Sequence, residues 1–265
     1  MTLLFSPEAF QCELKTRRFG RACRAVAETG STIDLAWEWL GADGPEGGVV
    51  IADRQTRGRG RLGREWASPE GGLWMSVLAR PDIPIDWGGR LGVMMALDAA
   101  AAVSAVTGCA ARVRWPNDLL ISGRKVGGVL IDARPEGGRL TAAILSFGLN
   151  VNVPINTLPE TMRGTAATLL AETGRIHRIE VVAARILEAL ERDWPLLLAA
   201  SPGLPERWGV FDAIPGAEVL TDIAGEALQG QNAGIDEEGA LILKTAGGPR
   251  RITSGEVHLL RPAAV

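Results

Sequence analysis

Cysteine and histidine are scarce in this chain of 265 residues. Cys12, Cys23 and Cys109 are odd in number, at spacings that suit neither a disulfide framework nor a zinc site, so they read as reduced, packing thiols. His177 and His258 lie far apart in sequence, and neither is flanked by other metal-ligand residue types. No Ser–His or Cys–His arrangement is therefore at hand for nucleophilic catalysis. Long apolar runs are lacking too: Met1-Thr2-Leu3-Leu4-Phe5-Ser6-Pro7 is too short for a secretory signal, and no stretch approaches the length of a membrane span. The expectation is a cytoplasmic protein with no membrane partner. The sequence also has no internal repeat and no low-complexity segment.

What is present is ordinary in bulk and unusual in one place. Apolar residues at 46% and charged residues at 22% fit a soluble globular chain. The length suffices for one large domain with its own core and a small appendage. A net charge of −3 argues against a general nucleic-acid binder. Against that background, Gln55-Thr56-Arg57-Gly58-Arg59-Gly60-Arg61-Leu62-Gly63-Arg64-Glu65-Trp66 sets four arginines among three glycines. Charges so close repel unless an anion neutralises them, and glycines let backbone N–H groups approach that anion. The stretch asks for a phosphate-like ligand. Gly58, Gly60 and Gly63 also spell G-x-G-x-x-G, the mark of a dinucleotide-binding turn. That reading fails because a helix should open there, whereas Glu65 to Gly72 is a turn-rich loop.

The rest of the chain is expected to wall this loop in. Residues 1–30 read as edge strand and loop. Ser31 or Thr32 caps a helix bearing Leu35, Trp39 and Leu40, and a cap is also where a polar ligand group can be met. Strands are expected at Gly47–Asp53 and Leu73–Arg80, and a core helix from Gly89 to Thr107 stopped by Gly108. Arg112–Ile121 and Lys125–Asp132 form a hairpin, followed by a strand over Leu140–Pro154. Lys125 opens a strand containing Gly127 and Gly128, and glycines in a strand mark a close approach to the backbone. A lysine that merely ends a turn is an equally good reading. Asn150 and Asn152 share one face, as strand-end turn formers or as amides reading a base or sugar edge. Helices follow over 165–174 and 179–200, composition shifts at Ser201-Pro202-Gly203-Leu204-Pro205, and short strands at 217–223, 227–235, 240–245 and 251–260 suggest a small β-barrel. Arg59, Arg61 and Arg64 supply forked donors and Lys125 a compact charge, a set suited to bringing two anions together.

Taken in order, several motifs resemble those of the biotin protein ligases. They are Ser31-Thr32, the Gln55–Trp66 run, Ser68-Pro69-x-Gly71-Gly72-Leu73, Trp115-Pro116-Asn117-Asp118, Lys125-Val126-x-Gly128-x-Leu130 and Gly148-Leu149-Asn150-Val151-Asn152. Gly234-Ile235-Asp236-x-x-Gly239-Ala240-Leu241 and Ser254-Gly255-Glu256-Val257 resemble that family's C-terminal barrel. The resemblance implies an α+β fold: a mixed, mostly antiparallel sheet with helices, like the catalytic domain of class II aminoacyl-tRNA synthetases, over residues 1–211, and an SH3-like β-barrel over 212–265. It implies that biotin's carboxylate attacks the α-phosphate of ATP, giving biotinyl-5'-AMP, and that a lysine of a biotin carboxyl carrier protein, from acetyl-CoA carboxylase or another biotin-dependent carboxylase, then takes the biotinyl group. By resemblance Ser31, Thr32 and Gln55 hold the ureido ring and Gly128 lies along biotin. Arg59, Arg61 and Arg64 hold the phosphates and carboxylate, and Lys125 and Arg61 are the catalytic pair. Trp66 packs over the intermediate, Asn150 contacts adenine, and Asn117 and Asp118 line the nucleotide side, with Asp118 an aid to Mg²⁺.

Departures from the family pattern are equally specific. Ile33 stands for a usual Asn, Arg57 for Ala, Leu62 for Arg, Arg114 for Lys, and Ser146 for the first Gly of Gly-x-Gly-x-Asn. Too few residues precede Ser31 for the helix-turn-helix of repressor-type members, so DNA is not an expected partner. The oligomeric state, a homodimer included, stays open. Two other readings stand beside this one: a lipoate or octanoate ligase, and a non-catalytic biotin or nucleotide sensor.

Overall fold

The computed structural model describes residues 3–223 and 226–261; Met1, Thr2, Ala224, Gly225 and residues 262–265 lie outside them. The chain opens in a helix, α1 (Pro7–Glu13), where Ser6 accepts the Ala9 N–H and Pro7 fills the first turn. The expected strand and loop over residues 1–30 hold only in part, since β1 (Cys23–Thr29) alone is a strand. Seven residues offer too few apolar positions to display a helical period. α2 (Thr32–Gly41) begins as expected, with Ser31 accepting the Ile33 N–H. β2 (Val49–Gln55), β3 (Leu73–Ala79) and the two-residue β4 (Ile83–Pro84) precede α3 (Gly88–Thr107), which Gly108 closes in the left-handed region at φ 76.

β5 (Arg112–Arg114), β6 (Asp118–Ile121), β7 (Arg124–Glu136) and β8 (Arg139–Leu149) then run as an antiparallel meander. The strands order as β1-β2-β3-β8-β7-β6-β5, with β4 paired to β8; β1 and β2 are parallel and every other pair is antiparallel. The mixed, mostly antiparallel sheet is as anticipated. Side chains alternate across it: Val50, Leu78 and Ile144 join Ile33, Trp39 and Leu40 of α2 in one core, while Val49, Ile51 and Val77 belong to a larger core on the other face.

That larger core is closed by α3 and by α6 (Ile179–Leu198), reached through the short α4 (Glu160–Arg163) and α5 (Leu169–Thr173). Contrary to the sequence expectation, one stretch does have the length and mean hydropathy (1.4) to cross a membrane, Ile85–Thr107. Its apolarity serves packing, since Leu91, Met95, Leu97 and Val103 are at most 1% exposed. A further helix, α7 (Leu204–Phe211), was absent from the sequence reading and begins after Gly203 at φ 105. Its Arg207 bridges two buried carboxylates, Asp98 of α3 and Asp193 of α6.

The second sheet holds β9 (Glu218–Ile223), β10 (Glu226–Ile235), β11 (Leu241–Thr245), β12 (Gly248–Ile252) and β13 (Val257–Arg261), ordered β12-β11-β10-β9-β13 and wholly antiparallel. The single strand expected over 251–260 is two strands, broken at a turn where Gly255 takes φ 122. The β10–β11 turn is plugged into the N-terminal end of α3. Arg90 Nη1 donates to the Glu237 carbonyl at 2.6 Å, and the Trp115 indole N–H donates to the Gly239 carbonyl at 3.0 Å. A Cβ on Gly239, whose φ is 80, would stand 2.8 Å from the Gly89 carbonyl oxygen. Gly239→Ala should therefore cost about 1–3 kcal/mol of stability through strain and overpacking. Urea unfolding measures it, and an unchanged midpoint would mean that this joint tolerates separation.

Candidate active site

A cavity of about 320 Å³ opens between the arginine loop, the crossing of β7 and β8, the Trp115–Asp118 turn and the β12–β13 turn. Its floor is bare backbone, because Gly128 and Gly148 are cross-strand partners. A Cβ on Gly148 would stand 3.1 Å from Trp66 Nε1, and one on Gly128 would stand 3.2 Å from the Asn117 carbonyl oxygen. The indole of Trp66 lies over that floor, its N–H buried and without a partner.

At one end the wall is neutral and polar. Gln55 Oε1 accepts from the Thr32 N–H at 2.8 Å and from the Thr32 hydroxyl at 3.1 Å, while Gln55 Nε2 donates to Ser68 Oγ at 2.8 Å. Thr32 Oγ1 lies 2.8 Å from Ser76 Oγ, which lies 2.9 Å from Ser146 Oγ. Ile33 adds an apolar surface to the same wall. Ser31 does not reach the cavity; it is 1% exposed and serves as the cap of α2.

At the other end the wall is charged. Lys125 Nζ lies 2.5 Å from Asp118 Oδ1, and Arg114 Nη2 donates to Asp118 Oδ2 at 2.7 Å. Lys125 also stands 5.0 Å from the Trp66 ring centroid, a cation–π distance. The register slips between Leu119 and Leu120, so that Leu119 opposes Gly127 and Leu120 opposes Lys125. Three residues apart, Lys125 and Gly128 would face opposite sides of a regular strand. This bulge turns both toward the cavity, which is why the alternation of the sequence did not foretell it. The backbone of Lys125 is held from outside the sheet, its N–H donating to the Thr165 carbonyl at 2.8 Å and its carbonyl accepting the Ala167 N–H at 2.7 Å.

The arginine loop folds on itself, with the Trp66 N–H donating to the Gly58 carbonyl at 2.9 Å and the Gly60 N–H to the Arg64 carbonyl at 2.7 Å. Two of its arginines are paired with carboxylates and a third with neutral acceptors. Arg59 pairs with Asp34 and lies 3.6 Å from Asp132. Arg64 meets Glu256 at 2.6 Å, and Arg61 donates to the Gly255 carbonyl at 3.1 Å and to Asn117 Oδ1 at 3.4 Å. Burial holds the Arg61 guanidinium below its ordinary pKa, with Glu256 and Asp118 opposing that effect. An incoming anion must compete with these partners. Leu62, at the tip with φ 56, is 72% exposed.

Of the residues singled out from the sequence, the cavity wall gathers Thr32, Gln55, Arg59, Arg61, Arg64, Trp66, Asn117, Asp118, Lys125 and Gly128. Asn150 is not among them: it is 4% exposed, its Nδ2 donates to the Ala167 carbonyl at 3.1 Å, and its Oδ1 is buried without a partner. Asn152 clamps the backbone of His177, at 2.7 and 2.9 Å. The sequence reading missed Glu256, Val257 and His258, which enter the wall from the second sheet. Ser254-Gly255-Glu256-Val257 was noticed as a motif, but only the fold brings it to the arginines.

Residues 26–152 match the biotin/lipoate A/B protein ligase family, and residues 219–260 match the biotin protein ligase C-terminal domain. The chain is 32% identical over 248 residues to the bifunctional ligase/repressor BirA of Bacillus spizizenii, covering 93% of this chain and 76% of that protein. It is likewise 32% identical over 250 residues to the biotin–(acetyl-CoA-carboxylase) ligase of Mycobacterium tuberculosis, covering 91% and 90%. The chain belongs to the biotin protein ligase family. The biotin protein ligase from Aquifex aeolicus, solved with biotin and ATP, superposes with a TM-score of 0.76 at 29% identity, covering 91% of this chain and 99% of that one.

In this member of the biotin protein ligase family, the second sheet reaches the site through Arg64–Glu256, a bridge whose side chains are 64% and 25% exposed. Such bridges are worth at most about 1 kcal/mol. Glu256→Gln should therefore speed tryptic cleavage after Arg59, Arg61 or Arg64 by about two- to fivefold in the ligand-free protein. An unaltered cleavage rate would show that the bridge does not hold the loop.

Proposed function

We propose that this chain is an ATP-dependent biotin–(acetyl-CoA-carboxylase) ligase, which activates biotin as biotinyl-5'-AMP and passes the biotinyl group to a lysine of a biotin carboxyl carrier protein. The observation that carries the reading is a single cavity whose hydroxyl-and-amide end and lysine-and-arginine end are joined by the bare floor of Gly128 and Gly148. The first end matches a cyclic urea, which offers two N–H donors and one carbonyl acceptor to hydroxyl and amide partners. The second suits the meeting of two anions.

In the first step a carboxylate oxygen of biotin bonds to the α-phosphorus of ATP and the bond to pyrophosphate breaks. Both reactants are negative, so catalysis is neutralisation and positioning rather than proton transfer. Lys125 supplies the charge at the reacting atoms, and Arg59, Arg61 and Arg64 exchange their internal partners for phosphate and carboxylate oxygens. In the second step the carrier amine attacks the acyl carbon and AMP leaves. Trp66 and the loop keep water from the mixed anhydride until then.

For a Mg²⁺ ion carried on the phosphates of ATP, Asp118 is a carboxylate of the cavity wall, and its oxygens already have partners. Asp118 is engaged by both Lys125 and Arg114, and among the described residues no three His, Cys, Asp or Glu side chains cluster as a metal site.

The polar end also separates biotin from lipoate. Lipoate's dithiolane has no N–H and no carbonyl, so it would leave the Gln55, Thr32 and Ser146 groups facing the cavity unpaired, and sites of this kind reject such analogues strongly. Pyrophosphate exchange into ATP should depend on biotin; exchange supported by lipoate and not by biotin would overturn the reading. Lys125→Ala should lower that exchange by about 10²–10³-fold with the fold kept, as seen on removing one stabilising donor of a developing charge. A wild-type single-turnover rate would take Lys125 out of its role. Arg61→Ala, which frees the loop from Asn117 and Gly255, should release free adenylate into solution; unchanged retention would count against loop closure.

A further inference from the structure

We propose that Ser146, oriented through Ser76, is a specificity-determining residue that presents a hydrogen-bond acceptor to a ring N–H of the ligand. The proposal rests on the biotin reading and names the ligand atom that this chain recognises in its own way. The hydroxyls of Thr32, Ser76 and Ser146 form an unbroken line that starts at Gln55, with contacts of 3.1, 2.8 and 2.9 Å. A backbone N–H can only donate, so the Thr32 N–H at 2.8 Å fixes the Gln55 atom beside it as the carbonyl oxygen. That oxygen is an acceptor, and the Thr32 hydroxyl must donate to it.

Each hydroxyl has one proton, so the direction of the whole line follows. Thr32 has spent its proton on Gln55 and must accept from Ser76. Ser76 is 0% exposed, spends its own proton on Thr32, and must accept from Ser146. The Ser146 proton therefore points inward, and lone pairs are what the hydroxyl of this half-buried residue has left to offer the cavity that it lines. On the other branch, Gln55 gives one amide proton to Ser68, which in turn donates to the Trp66 carbonyl at 3.1 Å. The second amide proton of Gln55 is left for a ligand carbonyl. The cavity end thus offers acceptors at Ser146 and Thr32 beside a donor at Gln55, the complement of an N–H, C=O, N–H ligand edge. Ile33, on the same wall, can supply neither.

Titration calorimetry of wild type, Ser146→Ala and Ser76→Ala with biotin, and separately with ATP, tests this. Ser146→Ala removes the acceptor, and Ser76→Ala lets the Ser146 proton swing toward the ligand. Each should weaken biotin about tenfold, the effect of one hydrogen bond, while leaving the Kd for ATP in place. A merely structural role would weaken both ligands together, and that result overturns the proposal. So does biotin binding by Ser146→Ala at the wild-type Kd; Ser146 is half-buried, so this variant is informative even where Ser76→Ala fails to fold. Failure of the wild type to bind biotin overturns the functional reading itself, an outcome distinct from a wild type that binds biotin and is indifferent to Ser146.

Discussion

The cavity exists because two neighbouring strands carry hydrogen atoms where side chains would otherwise meet. Gly128 and Gly148 face each other across β7 and β8 beneath Trp66, and a methyl group on either would press on the indole or on the Asn117 carbonyl. Everything chemical is arranged around that bare strip. A bulge brings Lys125 to the same face as Gly128, Trp66 at the end of the arginine loop lies over it, and the hydroxyl line of Thr32, Ser76 and Ser146 closes one end. Glycine weakens a strand, but here the strip runs through the middle of the sheet, where β6, β7, β8 and β3 hold the backbone on both sides.

The second consequence is electrostatic. A loop with this many arginines would repel itself in an empty site, yet each arginine facing the cavity has found an internal partner: Asp34 and Asp132 for Arg59, Asn117 and a backbone carbonyl for Arg61, Glu256 for Arg64. The ligand-free site is thus pre-formed, and its cations are held by weak, partly exposed contacts that a polyphosphate can displace. The five-stranded sheet is part of this arrangement. It supplies Glu256 to the loop at one turn and grips Arg90 and Trp115 at another, so its seating bears directly on the Trp115–Asp118 wall.

Much of this was legible in the sequence, for local reasons. The Ser31 cap, the Gly108 stop, the alternating strands and the alanine-rich α3 each follow from short-range rules, and the mixed sheet follows from their order. The charged end of the site was legible because Gln55–Trp66 is compositionally abrupt and Lys125 sits beside Gly127 and Gly128. What stayed hidden is non-local. α1 is too short to show a period, and α7 rests on Arg207 reaching carboxylates that are distant in sequence. The bulge at Val126 breaks the strand's own alternation. Glu256 meets Arg64 only once the second sheet is docked. Ser76, an unremarkable serine in a fully buried strand, gains its meaning from the hydroxyls on either side. Nor do the sequence neighbours of the arginine loop reveal its counter-charges, since Asp34, Asp132 and Glu256 reach it only through the fold.

The central claim is that the two ends of one cavity join biotin to a protein lysine by way of ATP. The most direct measurement is the intact mass of a biotin carboxyl carrier domain after incubation with this protein, ATP and biotin. The account predicts a mass gain of one biotinyl group on a single lysine, dependent on ATP and abolished when lipoate replaces biotin. Tight binding of biotin and ATP with an unmodified carrier would contradict it.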